Sequence, residues 1–259
     1  MCARLNGSGW STVGESSKVR NVLAIDTATD TVVAGIARID RAAANGVEVL
    51  VERAIADGRR HAEITTTLIV DCLAESGVAR DDLAAVVVGT GPGPFTGLRV
   101  GMATGAGFGD ALGIPVFGVC SLDAIAIDAH RAAELDDGAD ATTLVVTDAR
   151  RREVYWGLYR GGERISGPTV CAPGAVADEL ATAGISLESV TVVGGSASHL
   201  QLVGWSGTEP TITVPSVVGL VRAASQELLA GATPGPLTPL YLRRPDAVER
   251  KTAASAVRS

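Results

Sequence analysis

Residues 22–35 read VLAIDTATDTVVAG, and residues 144–157 read LVVTDARRREVYWG. The two stretches align without gaps: Asp26 meets Asp148, Val32 meets Val154 and Gly35 meets Gly157. Each is an apolar strand ending in Asp, then a short polar turn, then a returning strand, which is the pattern of a β-hairpin. A second echo follows in the same order, VVVGTG (86–91) against TVVGGS (191–196). The matching order predicts two α/β halves built alike, each centred on a mixed sheet.

Working outward, Asn21–Ile25, Thr31–Ala37 and Val47–Ala54 read as strands. His61–Ser76 places Ile64, Leu68 and Cys72 on one helical face, and Gly77 stands where a helix C′ glycine belongs. Ala85–Gly89 is a short β-branched strand. Leu98–Leu112 is a helix closed by Gly113 and Pro115, and Val116–Val119 is a further strand. The acidic, Ala-rich stretch 130–141 reads as the connection between the halves. Expected boundaries are a flexible leader (1–20), an N-terminal lobe (21–130), a C-terminal lobe (131–245) and a flexible tail (246–259). Two lobes that each open with an Asp-bearing hairpin resemble the actin, sugar kinase and Hsp70 superfamily, in which nucleotide lies between the lobes. That resemblance makes Asp26 and Thr27 candidate nucleotide contacts. The alternative is that Asp26 caps a tight turn. In the second turn Arg150, Arg151 and Arg152 are bulky where a phosphate tail would need room.

The loop GTGPGPFTGLRVG (89–101) lies between a strand and a helix, the usual setting of a phosphate cradle. Counting excludes the standard templates. A P-loop started at Gly91 or Gly93 finds Thr96 or Leu98 in place of its second Gly, and no Lys follows. The dinucleotide fingerprint fails at Thr96 or Pro94, and no nucleophile elbow is present. The following helix carries Gly97, Gly101, Gly105 and Gly109 at four-residue spacing. Interior helical glycine costs about 1 kcal/mol relative to Ala, so a close approach must compensate. The stripe packs either on the protein's own sheet or on a partner, and the expectation is a partner.

Composition narrows the function. The chain has 259 residues, 46% apolar and 20% charged, with net charge −7. Only short Arg runs near 150 and 243 stand out, so autonomous nucleic-acid binding is not expected. Four scattered cysteines without C-x-x-C indicate a reducing, cytoplasmic setting. No run reaches the ~18 apolar residues of a membrane helix. The three histidines, His61, His130 and His199, lie far apart without H-E-x-x-H spacing, so no metal site is expected. Nor does any spacing suggest a cofactor or a nucleophilic triad.

The segments VLAIDTAT (22–29), GTGPGPFTGLRVG (89–101), GIPVFGVCSLDAIA (113–126), DARRREVYWGLY (148–159) and PLYLRRP (239–245) resemble the bacterial TsaB (YeaZ) family. Pro94 departs from the Ser usual in that family. The resemblance implies a non-catalytic partner of TsaD in making N6-threonylcarbamoyladenosine on tRNA, with the ATPase TsaE joining. It implies homodimerisation when TsaD is absent and contact with tRNA only through the complex. On it, Gly97, Arg99, Gly101, Gly105, Gly109 and His61 are expected at the partner interface, and Gly91, Gly93, Phe95 and Thr96 shape the loop. Two further readings stay open: a self-sufficient ATP-dependent phosphotransferase of the actin-like class, and an M22-type glycoprotease.

Overall fold

The computed structural model describes residues 19–40, 46–56, 61–132, 142–194, 197–207 and 212–243. The expected leader (but for its last two residues), the tail and most of the inter-lobe connection lie outside them. Two sheets form the frame. Strands β1 (Val19–Asp26), β2 (Thr31–Asp40), β3 (Val47–Ala56), β4 (Leu83–Gly89) and β5 (Val116–Val119) run in the order β3-β2-β1-β4-β5. Strands β6 (Thr142–Asp148), β7 (Val154–Arg160), β8 (Glu163–Cys171) and β9 (Thr191–Val193) run β8-β7-β6-β9. In both sheets the first three strands are antiparallel neighbours and the fourth joins in parallel. Gly194 N donates to Ile212 O at 2.7 Å, as Thr90 N donates to Val119 O at 2.7 Å, so the 212 segment stands where β5 stands in the first sheet.

The ladders correct the gap-free alignment by one residue. Asp26 pairs with Val33, but Asp148 pairs with Val154. With β2 laid on β7, Leu23 therefore falls on Leu144 and Asp26 falls on Thr147. The faces agree: Leu23 and Ile25 point into the outer core of their sheet, as do Leu144 and Val146. A strand alternates faces every residue, so a one-residue slip decides which side chain is buried.

Helices α1 (His61–Ser76) and α2 (Phe95–Leu112) cover the outer face of the first sheet. Gly77 ends α1 at φ 67° and Gly113 ends α2 at φ 66°. On the second sheet α4 (Pro173–Thr182) and α5 (Ala197–Val203) do the same, burying Val176, Leu180 and Leu200. Between the sheets lies a shared layer of α3 (Ser121–Ala132), α6 (Val217–Ala223) and α7 (Ser225–Ala230). Ala124 of α3 faces the first sheet, while Leu122, Ile125 and Ala129 face the second. Helices α6 and α7 fall within the expected C-terminal lobe, yet Val217, Leu220 and Leu228 pack on the first sheet. The chain thus crosses back, and the simple division at residue 130 is corrected. A final extended strap completes the path: Leu237 packs on the first outer core and Leu240 and Leu242 on the second sheet. The result is a two-lobed α/β fold, each lobe built on a mixed sheet.

Candidate functional site: the glycine loop, the outer helices and the inter-lobe cleft

The glycine loop holds the chain's own turn. A Cβ on Gly89 would lie 1.8 Å from Asp26 Oδ2, and one on Gly93 would lie 2.2 Å from Ala28 O. The loop is bonded on its other side as well: Ser121 N donates to Gly91 O at 2.8 Å, and Leu240 N to Thr90 O at 2.9 Å. Close backbone approach is what these glycines supply. The loop is a packing device.

Asp26 is the centre of that packing. It is fully buried, accepts from Ala28 N at 2.9 Å, and accepts from Ser121 Oγ at 2.5 Å. Burial pushes its carboxyl up to about 6, against the opposing pull of the Ser121 and Ala28 hydrogen bonds and the nearby His61. Thr27 is equally buried; its Oγ1 donates to Gly97 O at 2.8 Å and accepts from Gly101 N at 3.1 Å. Both residues turn into the protein, which corrects the expectation that they face a nucleotide. His61 starts α1 and is only 9% exposed; its Nε2–H donates to Thr29 O at 3.1 Å. It pins α1 to the β1–β2 turn, and sequence position alone did not place it inside.

The glycine stripe of α2 faces inward too. Added Cβ atoms would lie 2.9 Å from Thr27 O at Gly97, 2.3 Å from Thr27 Oγ1 at Gly101, 2.2 Å from Val88 Cγ2 at Gly105 and 2.2 Å from Val116 Cγ2 at Gly109. The expected glycine-to-partner contact is therefore corrected. The stripe lets α2 seat closely on β1, β4 and β5, and that contact offsets its low helix propensity. The opposite side of α2 is left outward: Thr96, Arg99, Ala103, Ala106 and Gly107 are exposed, and nothing lies within 4 Å of a Cβ at Gly107. Beside it α1 exposes Thr66, Val70 and Ala74, with Val70 at 56%. Together they make an outer surface of mostly small side chains, with Arg99 at its first-turn end.

At the first turn of α2, Phe95 stacks on Tyr241 of the strap, ring centroids 5.0 Å apart. The Arg99 guanidinium lies 3.9 Å from the Phe95 centroid, and its Nε donates to Tyr241 Oη at 2.6 Å. No spacing rule pointed to Tyr241, since it lies 142 positions away.

Between the lobes, Arg150 of the β6–β7 turn reaches across to Asp30 of the β1–β2 turn. Asp148 holds it from behind, accepting from Arg150 Nη1 at 3.0 Å and from Arg150 N at 2.6 Å. His199 Nε2 lies 3.3 Å from the same carboxylate. The bridge divides the cleft mouth into cavities of about 270 and 190 Å³. The first is lined by Thr29, His61, Phe95, Thr96 and Arg150, the second by Thr31, Pro94, Asp148 and Val214. Among the described residues no three His, Cys, Asp or Glu side chains converge as a metal site. Among them, too, no helix is long and apolar enough to cross a membrane.

Residues 49–233 match the family model described as TsaD, tRNA N6-adenosine threonylcarbamoyltransferase. An uncharacterized protein of Mycobacterium tuberculosis is 47% identical over 230 residues, covering 89% of this chain and 95% of the relative. One of Mycobacterium leprae is 47% identical over 226 residues, 87% of this chain; the chain spans 55% of that relative. The tRNA threonylcarbamoyladenosine biosynthesis protein TsaB of Haemophilus influenzae is 27% identical over 237 residues, covering 86% of this chain and 93% of the relative. Among solved structures, YeaZ from Pseudomonas aeruginosa superposes with TM-score 0.63 at 26% identity, covering 86% of this chain and 100% of the other.

Proposed function

Because the chain belongs to the TsaB/YeaZ family, we propose that it serves N6-threonylcarbamoyladenosine biosynthesis as a non-catalytic partner of the transferase TsaD. The observation that carries this reading is the occupied cleft. Arg150 bridges to Asp30 between the lobes, and Asp26 and Thr27, the candidate nucleotide contacts, are buried in hydrogen bonds of the chain's own. The fold keeps its hairpins and has turned the inter-lobe groups to structural use. The surface offered to TsaD is the outer face of α1 and α2, where Val70, Ala103 and Gly107 present little side chain to obstruct a second helix pair. A second copy of the chain uses the same face when TsaD is absent. TsaE joins the formed pair, and tRNA is engaged in the cytoplasmic assembly, since net charge −7 disfavours binding by this chain alone.

Co-purification with TsaD of the same organism tests the reading. Gly107→Arg adds bulk where the fold has open space, so the monomer keeps its stability while association with TsaD and tRNA modification fall together. If this chain alone modified tRNA, the non-catalytic reading would be overturned. Undiminished association of Gly107→Arg and Val70→Arg would move the interface elsewhere.

A further inference from the structure

Helices α1 and α2 run side by side in one direction. Strands β3 and β4 are both parallel to β1, and the helix after each starts at the same end of the sheet, at the cleft mouth. There His61 stands beside Gly97: a Cβ on Gly97 would lie 3.6 Å from His61 Nε2, and both residues line the same cavity. Residue 61 of α1 is therefore level with 97 of α2, and 68–69 with 104–105.

On the outward side of α2, Arg99, Ala103, Ala106 and Asp110 follow at spacings of four, three and four, and all are exposed. That is the spacing by which one helix packs along another. Two small residues stand at the centre and two opposite charges at the ends. Both charges oppose their own helix. The Arg99 guanidinium leans back over the first turn onto Phe95, where the helix dipole favours an anion, and Asp110 stands in the last turn, where it favours a cation. Among the described residues neither Arg99 nor Asp110 is in an ion pair. Arg99 Nε donates to Tyr241 Oη, and the guanidinium has Nη–H donors besides.

An antiparallel second copy of α2 reverses both mismatches at once. We propose that two copies of this chain pair through α2 about a two-fold axis level with residues 104–105, with Arg99 of each copy set against Asp110 of the other. This rests on the shared outer face proposed above and assigns its register and its deciding residues. Under a two-fold axis the interface is isologous, so the ion pair occurs twice. Ala103 then lies opposite Ala106 of the second copy, and side chains this small let helix axes approach to about 8 Å. A parallel arrangement would instead set Arg99 on Arg99 and Asp110 on Asp110, with the dipoles aligned. Helix α1 agrees without adjustment, because the same axis passes it at 68–69. Exposed Val70 meets Thr67 of the second copy, and the acids Glu63 and Asp71 meet Ala74 and Thr66 rather than each other.

Sedimentation velocity of the isolated full chain, over a concentration series at low and high salt, tests this. Asp110→Arg sets Arg against Arg and is expected to weaken self-association about tenfold or more at low salt. The same change suits the negative end of α2, so the thermal midpoint of the monomer holds or rises. Arg99→Glu sets Glu against Asp and weakens self-association likewise. Mixed in equal amounts, the two variants should pair with each other about as tightly as wild type, because both contacts between them then join opposite charges. All these differences shrink at high salt. A wild-type chain that stays monomeric throughout the series would overturn the inference. So would Asp110→Arg pairing like wild type, or a mixture no tighter than either variant alone. Should Arg99→Glu unfold through loss of the Phe95–Tyr241 contact, Asp110→Arg decides by itself. Co-purification with TsaD is read separately: its failure refutes the proposed function and leaves the pairing result standing, whereas a monomeric chain that still captures TsaD refutes only this inference.

Discussion

In the β1–β2 turn, Asp26 accepts from the amide two residues on, at 2.9 Å from Ala28 N; in the β6–β7 turn, Asp148 accepts from Arg150 N at 2.6 Å. The local device is the same. The surroundings are opposite: Asp26 is fully buried, whereas the Asp148 side chain is 30% exposed and shared by Arg150 and His199. The one-residue difference in hairpin register accounts for this. By the ladders, the second-lobe counterpart of Asp26 is Thr147, which is 6% exposed, and Asp148 stands one step further out. One copy of the turn became a packing centre, and the other projects basic side chains at the cleft.

The largest effect that could break this contrast lies at Gly89. Gly89→Ala places a methyl group against the Asp26 carboxylate and should cost about 3 kcal/mol or more, as overpacking of a rigid, buried site does. Asp26→Ala in the same chain removes the obstructing atoms, so the double mutant should be far less destabilised than the sum. In the second lobe Gly194, which follows β9 as Thr90 follows β4, has φ 79° and its added Cβ would lie 2.4 Å from Val146 O. Truncating Asp148 cannot relieve that contact, so the Gly194/Asp148 cycle should be additive. Chemical denaturation of the two cycles decides the matter; equal coupling in both would mean that the turns are alike after all.

Burial of Asp26 has a pH consequence of comparable size. Its carboxyl is raised from 3.8 to about 6 in the folded state. The native state therefore holds the proton more tightly than the unfolded chain. The associated stability is complete below about pH 4 and is lost as pH rises through about 6. Two pKa units correspond to about 3 kcal/mol. Asp128 and Glu52, also raised by burial, act in the same direction. Urea midpoints measured between pH 4 and 7 should fall with pH, and Asp26→Asn should flatten the curve. A slope unchanged by Asp26→Asn would place the titration elsewhere.

The outer helices sharpen the comparison at a smaller magnitude. Helix α2 sits on its sheet through glycines, whereas α4 sits on the other sheet through Val176 and Leu180. Gly105→Ala should destabilise by about 1–3 kcal/mol, because the clash with Val88 outweighs the helix-propensity gain. Gly174 of α4 has nothing within 4 Å of an added Cβ, so Gly174→Ala should be neutral or stabilising. Thermal denaturation of both variants is sufficient.

That glycine pair also marks the limit of what could be read from the residues. The duplicated hairpin, the α1 boundaries, the β5 strand and the C′ glycine at 77 were legible because each is a local pattern: alternation, a 3.6-residue period, a left-handed stop. The four-residue glycine spacing was equally visible and correctly implied close approach. Its direction was not legible, because helical spacing defines a face and says nothing of what covers it. Register slipped past the alignment for a related reason. Val and Gly strings match themselves at neighbouring offsets, and only the paired strand reveals the true one. The return of α6 to the first sheet and the Tyr241–Arg99 contact depend on pairings more than a hundred positions apart, which no local pattern encodes.

The smallest expected effect concerns the bridge itself. Asp30 and Arg150 have side chains 55% and 50% exposed, and an exposed pair of this kind contributes about 0–1 kcal/mol, screened by salt. Asp30→Asn should therefore shift the denaturation midpoint little, and not at all at high ionic strength. What it changes is space, because it removes the cross-lobe partner of the Arg150 guanidinium and leaves only Asp148 to hold it where it divides the two cavities at the cleft mouth. Two explanations of the proposed lack of catalysis at the cleft then part company. If the bridge alone excludes nucleotide, Asp30→Asn should bind ATP in calorimetry. If the loss is built into the β1–β2 turn, the opened cleft still meets Asp26 and Thr27 turned inward, their polar atoms taken by Ala28, Ser121, Gly97 and Gly101. The second outcome is expected. Undoing it would require re-registering the hairpin, because a side chain cannot leave the core face of a strand without moving its neighbours across with it.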